Sequence, residues 1–186
     1  MKTMHIIKRA FPLLCIAFAV MFFSPTYSYA VTAANIDAGA DVSLKTLSGM
    51  NGGADVINRA KGILVFPGVF KAAAGVGLDY GEGALRINGK TVDYYSTSAA
   101  SLGVQLGGQK KTIIIAFMTD DSLKSFRKWK GWQIGADASV AVITVGAGTQ
   151  MSSAVANKPI VAFVFDEKGL MFDLSLNGEK ITKIKR

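Results

Sequence analysis

The sequence predicts an α+β domain: N-terminal helices packed on a strongly curved, barrel-like, mainly antiparallel sheet of about ten strands, with one basic helix inserted between strands. Three observations predict it. Apolar residues recur at helical spacing over 35–60. From Ile63 onward they recur at every second position. One stretch, Thr119 to Trp132, returns to helical spacing and is crowded with lysine and arginine.

The first thirty residues stand apart from this pattern. Lys2, Lys8 and Arg9 make a positive start, and Phe11 to Phe23 is an apolar run shorter than a comfortable bilayer span. Ser28-Tyr29-Ala30 supplies small residues where a signal peptidase reads them, so a secretory signal is expected, cut after Ala30. An uncleaved membrane anchor is the alternative. Cys15 follows Leu13-Leu14 rather than a small residue, which argues against a lipoprotein. The only cysteine, Cys15, and the only histidine, His5, leave with the signal. A mature chain over 31–186 then holds no thiol or imidazole, which excludes a disulfide, a Cys/His zinc site, a cysteine nucleophile and a Ser-His-Asp triad. Three of the 21 Lys and Arg lie in the signal and none of the 13 acids does, so the formal charge of +8 falls to +5. That excess favours anionic partners, or simply solubility.

In the first mature element Ile36, Ala40, Leu44 and Leu47 share a helix face, with Asn35 or Asp37 as cap. "SGMNGG" (48–53) interrupts it, and Ala54, Ile57 and Ala60 resume a short second helix. "ILVF" then opens the sheet and is ended by Pro67. Phe70, Ala72, Ala74, Val76, Leu78 and Tyr80 alternate with Lys71, Ala73, Gly75, Gly77 and Asp79. The glycines at 75, 77, 81 and 83 therefore fall on one face of an extended chain. A phosphate cradle would open a helix directly after its glycines; here a hairpin around Asn88-Gly89 follows instead. A turn or bulge is expected at Gly81–Gly83, where the apolar phase shifts. The face they line offers room for an acyl chain or a neighbouring backbone.

Alternation recurs in "SLGVQLGGQ" (101–109), in "GADASVAVITV" (135–145), where Gly135, Asp137 and Ser139 share a face, and in "GLMFDLSLNG" (169–178). "KTIIIAFM" (111–118) is apolar throughout, as a central strand buried on both faces should be. "DEKG" (166–169) and Asn177-Gly178 signal further hairpins, and 146–159 reads as the longest loop. The inserted helix, "TDDSLKSFRKWKGW", has Thr119 or Asp120 as cap and Gly131 as stop, with Leu123 and Phe126 toward the core.

That helix is the sharpest candidate site. Lys124, Arg127, Lys128 and Lys130 suit anionic headgroups, and Phe126, Trp129 and Trp132 are candidate apolar contacts at a bilayer boundary. Lys71, Arg86, Lys110 and Lys111 are secondary candidates. The same charges also complement the helix macrodipole. Nucleic-acid binding could use similar residues, but export argues against it. Asp79, Asp137 and Asp173 are a weaker candidate set for calcium, with sheet-surface or turn support as the bland reading. No cofactor is predicted. Asp79 and Glu82 are carboxylates with no fixed separation, and Glu82 is expected in a turn, so catalysis has little to use. An outer-membrane barrel fits export and alternation, but the "IIIAF" run, the charged helix and the basic terminus "KITKIKR" speak against it.

"AKGILVFPGVFKAAAGVGLDYGEGALRI" (60–87), "YYSTSAASLGVQLGGQKKTIIIAFMTDDSLKSF" (94–126), "GWQIGADASVAV" (131–142) and "GLMFDLSLNGEKI" (169–181) closely resemble the SYLF domain, in the same order. That family includes eukaryotic regulators of actin and membranes and many exported bacterial proteins. The resemblance implies non-catalytic lipid binding, since eukaryotic members bind phosphoinositides and some bind actin. It does not imply actin or an SH3 module for a chain that opens with an export signal. The interrupted first helix departs from the more continuous helix of the family. The expected role is binding of anionic phospholipid at the cell envelope, in the periplasm or at the outer membrane. The alternative is a structural envelope protein with a protein or peptidoglycan partner, bound through an exposed strand edge or the 146–159 loop.

Overall fold

A computed structural model describes residues 31–145, 158–166, 176 and 178–186. Val31–Arg186 form one compact unit. The expected signal segment, Asp173, most of the 146–159 loop, and the "DEKG" hairpin beyond Asp166 lie outside the described residues.

Helix α1 spans Ala33–Ser48 and α2 spans Gly53–Arg59. Thr32, rather than Asn35 or Asp37, caps α1: its hydroxyl accepts the Asn35 N–H at 3.2 Å. Ile36, Ala40, Ser43 and Leu47 make the buried stripe. The interruption at "SGMNGG" is a tight corner. Gly52 is left-handed (φ 81°), and a Cβ on Gly53 would lie 1.8 Å from the Leu47 carbonyl oxygen, so a continuous helix gives way to a turn that only glycine fits.

Two very long strands follow, β1 (Gly62–Ile87) and β2 (Lys90–Phe117), paired antiparallel along their whole length. Asn88 and Gly89, both at positive φ (51° and 75°), make the two-residue turn expected of Asn-Gly. Next come α3 (Asp120–Lys128), β3 (Gly131–Gln133), β4 (Ala141–Val145), β5 (Ile160–Asp166) and β6 (Lys180–Ile184). The sheet order is β3-β6-β2-β5-β4, with β1 on the other edge of β2. One pairing, β4 with β5, is parallel; the others are antiparallel. Among the described residues the first two strands are longer than the sequence pattern suggests. Segments read as separate strands are legs of one ribbon, bent by register shifts at Phe66/Val69, Ala74/Val76 and Leu85/Arg86 rather than terminated.

The ribbon curls back on itself. A Cβ on Gly81 would lie 2.8 Å from the Gly68 carbonyl oxygen, and one on Gly83 would lie 2.3 Å from the Val65 carbonyl oxygen. Of the two uses expected for the glycine face, the chain takes the neighbouring backbone. No bulge falls at Gly81–Gly83; both sit within regular pairing, and the nearest shift comes at Leu85/Arg86. The apolar phase is inverted here. Gly77, Asp79, Gly81 and Gly83 face inward, whereas Leu78 and Tyr80, read as the apolar face, stand exposed. Glu82 is in mid-strand and buried, not in a turn.

The central segment of β2 is buried on both faces, as expected. Ile113, Ile115 and Phe117 join Leu64, Phe66, Leu85 and α3's Leu123 and Phe126 inside the curl. Ile114 and Ala116 pack on the opposite face with Val65, Phe163 and the helical residues Ala40, Leu47 and Val56. The "GADAS" stretch is a turn rather than a strand. Gly135 is left-handed (φ 89°), and Asp137 accepts the Gln133 N–H at 2.7 Å.

Gly83→Ala forces its methyl into the Val65 backbone and the Phe66 ring and is expected to lower unfolding free energy by about 2 kcal/mol or more. Gly49→Ala meets only an ordinary 3.5 Å contact and should leave stability nearly unchanged. Urea melts of the two variants check this.

Candidate functional site

The inserted helix is held by its aromatic underside. Thr119 caps it, accepting the Ser122 N–H at 3.2 Å, and it ends at Lys128 with Trp129 extended. Phe126 stacks on Phe117 at 4.7 Å, meets Tyr95 at 4.9 Å and takes the edge of Trp132 at 5.3 Å. Phe126 and Trp132 are therefore core residues, 1% and 3% exposed, and offer no apolar surface to a ligand. Alternation along β3 turns Trp132 inward between exposed Gln133 and partly exposed Gly131. Trp129 stays outside, 57% exposed, with Lys124, Arg127, Lys128 and Lys130 exposed around it.

The structure adds cations that sequence spacing does not reveal. Asp93, at the start of β2, accepts Arg127 of α3 at 3.3 Å and also pairs with Lys183 of β6. Lys180 of β6 brings its Cε within 3.4 Å of the position a Cβ on Gly131 would take. The pairing of β3 with β6 thus carries the basic terminal strand against the end of α3. Arg127 and Lys183 thus meet at Asp93 from two segments far apart in the chain, whereas Lys180, three residues before Lys183 on the same strand, points to the opposite face of β6. The lysines of "KITKIKR" were the only signal of this meeting in the sequence.

The secondary candidates separate. Lys110 and Lys71 are half-buried; the Lys110 ammonium sits 5.8 Å from the Phe70 ring centroid. Arg86 is engaged elsewhere: it donates to Asp41 at 2.8 Å and to the Asp37 carbonyl at 3.1 Å, tying α1 to the hairpin. Asp37 also accepts Thr91 at 2.7 Å and Tyr94 at 2.8 Å. Neither Arg86 nor the buried Lys111 is a surface cation for a ligand.

Lys111 belongs to an internal network. Its ammonium donates to Asp79 at 2.8 Å and to Glu179 at 2.9 Å, and Glu179 accepts Thr97 at 2.6 Å. Both ion pairs are almost fully buried. Burial pulls the Lys111 ammonium down, but the Glu179 charge and the carboxylate hydrogen bonds outweigh it and raise the group above the usual lysine range. Of the candidate calcium set, Asp79 thus holds an ammonium and Asp137 supports a turn, while Asp173 lies outside the described residues. Among the described residues there is no group of three metal-ligating side chains. Near the surface, Glu82 accepts Arg186 and Tyr80, the latter at 2.8 Å. No helix among the described residues is long and apolar enough to cross a membrane.

This is a curled α+β domain with a basic, tryptophan-bearing face. Compared with known families, residues 98–186 match the family described as Ysc84, Las17-binding protein actin regulator. This is the SYLF family that the motifs resemble, and the matched stretch runs from the middle of β2 to the last residue. The resembling segment 60–87 precedes it and is paired with β2 strand for strand. No curated protein matches the chain.

Lys111→Met leaves two buried carboxylates without their cation and should cost about 3 kcal/mol or more in a denaturant melt. Alkali should act on the same core. Tyr95 is pushed up to about 12, by burial and then by Asp93. Lys111 and Tyr95 both have raised folded values. Their stabilisation is therefore complete below the ordinary values near ~10 and lost as pH rises through the folded ones. Stability should fall from about pH 10 upward, and Tyr95→Phe should flatten that fall.

Proposed function

We propose that this domain binds anionic phospholipid surfaces at the cell envelope without catalysis, through the face made by α3 and β6. The observation that carries this reading is the convergence of Arg127 and Lys183 on a single carboxylate, Asp93, beside an exposed Trp129. Two cations share one acid, while Lys124, Lys128 and Lys130 are also exposed, so the face keeps a positive excess. Basic side chains near an anionic leaflet contribute about 1 kcal/mol each, and an indole seats at the boundary between headgroups and chains. The SYLF match supports a binding role of this kind, and the apolar leader supports an envelope location.

A protein partner is the second reading. It is favoured by β4, which ends the sheet order and pairs only with β5 among the described strands. Pull-down that is independent of lipid would support it.

Sedimentation with vesicles tests the first reading. Lys124→Gln, Arg127→Gln and Lys128→Gln together should weaken binding to phosphatidylglycerol vesicles about a hundredfold and flatten its salt dependence. Unchanged binding removes the face from the account. The two tryptophans separate cleanly by fluorescence. A blue shift on adding vesicles should vanish in Trp129→Phe, because Trp132 is already in the core.

A further inference from the structure

Asp93 sits beneath the basic face, and alternation puts it there. On β2 it lies two residues before Tyr95, so both side chains leave the strand on one side. Tyr95 packs against Phe126 of α3 at 4.9 Å. Arg127 is the next residue of that helix and reaches Asp93 at 3.3 Å. On β6, Lys183 stands opposite Tyr95 and is therefore the diagonal neighbour of Asp93, with which it pairs. Helix and strand thus bring one cation each to a single carboxylate.

Burial is uneven across these three groups. The Asp93 side chain is 12% exposed, while Arg127 and Lys183 are 46% and 55% exposed. Water reaches the two cations far better than the acid. A headgroup that draws either cation away must therefore compete with a carboxylate that has little solvent to fall back on. Asp93 is not what seats α3. Phe126 stacks on Phe117 at 4.7 Å and meets the edge of Trp132 at 5.3 Å, and Leu123 packs into the same cluster. The other acids of the helix, Asp120 and Asp121, lie in its first turn, about 9 Å or more along the axis from Arg127.

We propose that Asp93 sets how much anionic lipid the basic face requires. It masks Arg127 and Lys183 where anionic headgroups are sparse and yields them where headgroups are dense. The three groups together carry one net positive charge with the acid and two without it. This deepens the reading of the face as a vesicle-binding surface and rests on that reading.

Sedimentation with vesicles of phosphatidylglycerol diluted into phosphatidylcholine tests it. Asp93→Asn keeps the side-chain shape and removes the charge. It should bind about fivefold tighter, reach half-saturation at a lower phosphatidylglycerol fraction and lose binding more steeply in salt. Asp93→Glu should behave as the parent. Asp55→Asn makes the same change in net charge on α2, whose Val56 packs on the other face of the sheet, and should move binding by less than about twofold. With Asp93 intact, Arg127→Gln or Lys183→Gln should each weaken binding less than Lys128→Gln, because their charges are already masked. Equal losses in the three overturn the proposal. So does weaker binding by Asp93→Asn with a parental urea melt, which makes the acid a support for the cations, and so do equal gains in Asp93→Asn and Asp55→Asn, which reduce it to net charge. A parent that leaves these vesicles unbound removes the vesicle-binding reading and the proposal with it. A parent that binds, with Asp93→Asn no tighter, removes the proposal alone.

Discussion

A strand can press its backbone directly on an earlier part of itself only where one of the two has no side chain. In this domain that condition is met by Gly81 and Gly83, which close onto the backbone of Val65 to Val69. The rest of the structure follows from that contact. Once the ribbon curls, its inner face becomes an interior, and every polar group carried there must find a partner inside. Asp79 lies on the same face as the glycines, and Lys111 lies on the same face as Ile113 and Ile115. Both are carried inward with their strands. Their pairing is extended by Glu179, whose second oxygen accepts the Thr97 hydroxyl, so each buried charge has a partner, and the network joins the first ribbon to the approach to β6.

The alternation in the sequence announced extended strands, the Asn88-Gly89 turn and the doubly buried run after Lys111. It did not announce which alternating set would face inward. Side-chain size argues for burying Leu78 and Tyr80, and the structure exposes them, because the space on the other side is already filled by backbone. That is a long-range fact with no local mark. Lys111 poses the same difficulty: beside Lys110 it reads as surface charge, while its partners are 32 and 68 residues away. The "GADAS" turn was misread for a local reason, since Gly135 and Asp137 satisfy a strand's alternation as readily as a turn's chemistry.

The candidate face was half legible. Helical spacing and composition singled out α3 and sorted Leu123 inward. Phe126 was read both as core and as contact, and the aromatic cluster resolves it as core. Trp132 follows because a three-residue strand begins right after the helix and alternation turns its middle residue in. What no spacing rule supplies is the arrival of Lys183 at Asp93, which depends on β6 pairing with β2.

The two faces of the sheet are covered by different helices, and this has a functional consequence. Helices α1 and α2 cover the face that bears Ile114 and Ala116, while α3 packs with the opposite cluster through Leu123 and Phe126. The basic surface around Trp129 and the buried stripe of α1 therefore belong to different layers. The layers still share β2, whose residues alternate between them, so a ligand that orders one face restrains the strand that floors the other. The two layers meet in that strand, with Ile114 and Ala116 on the side of α1 and α2 and Ile113 and Phe117 beneath α3.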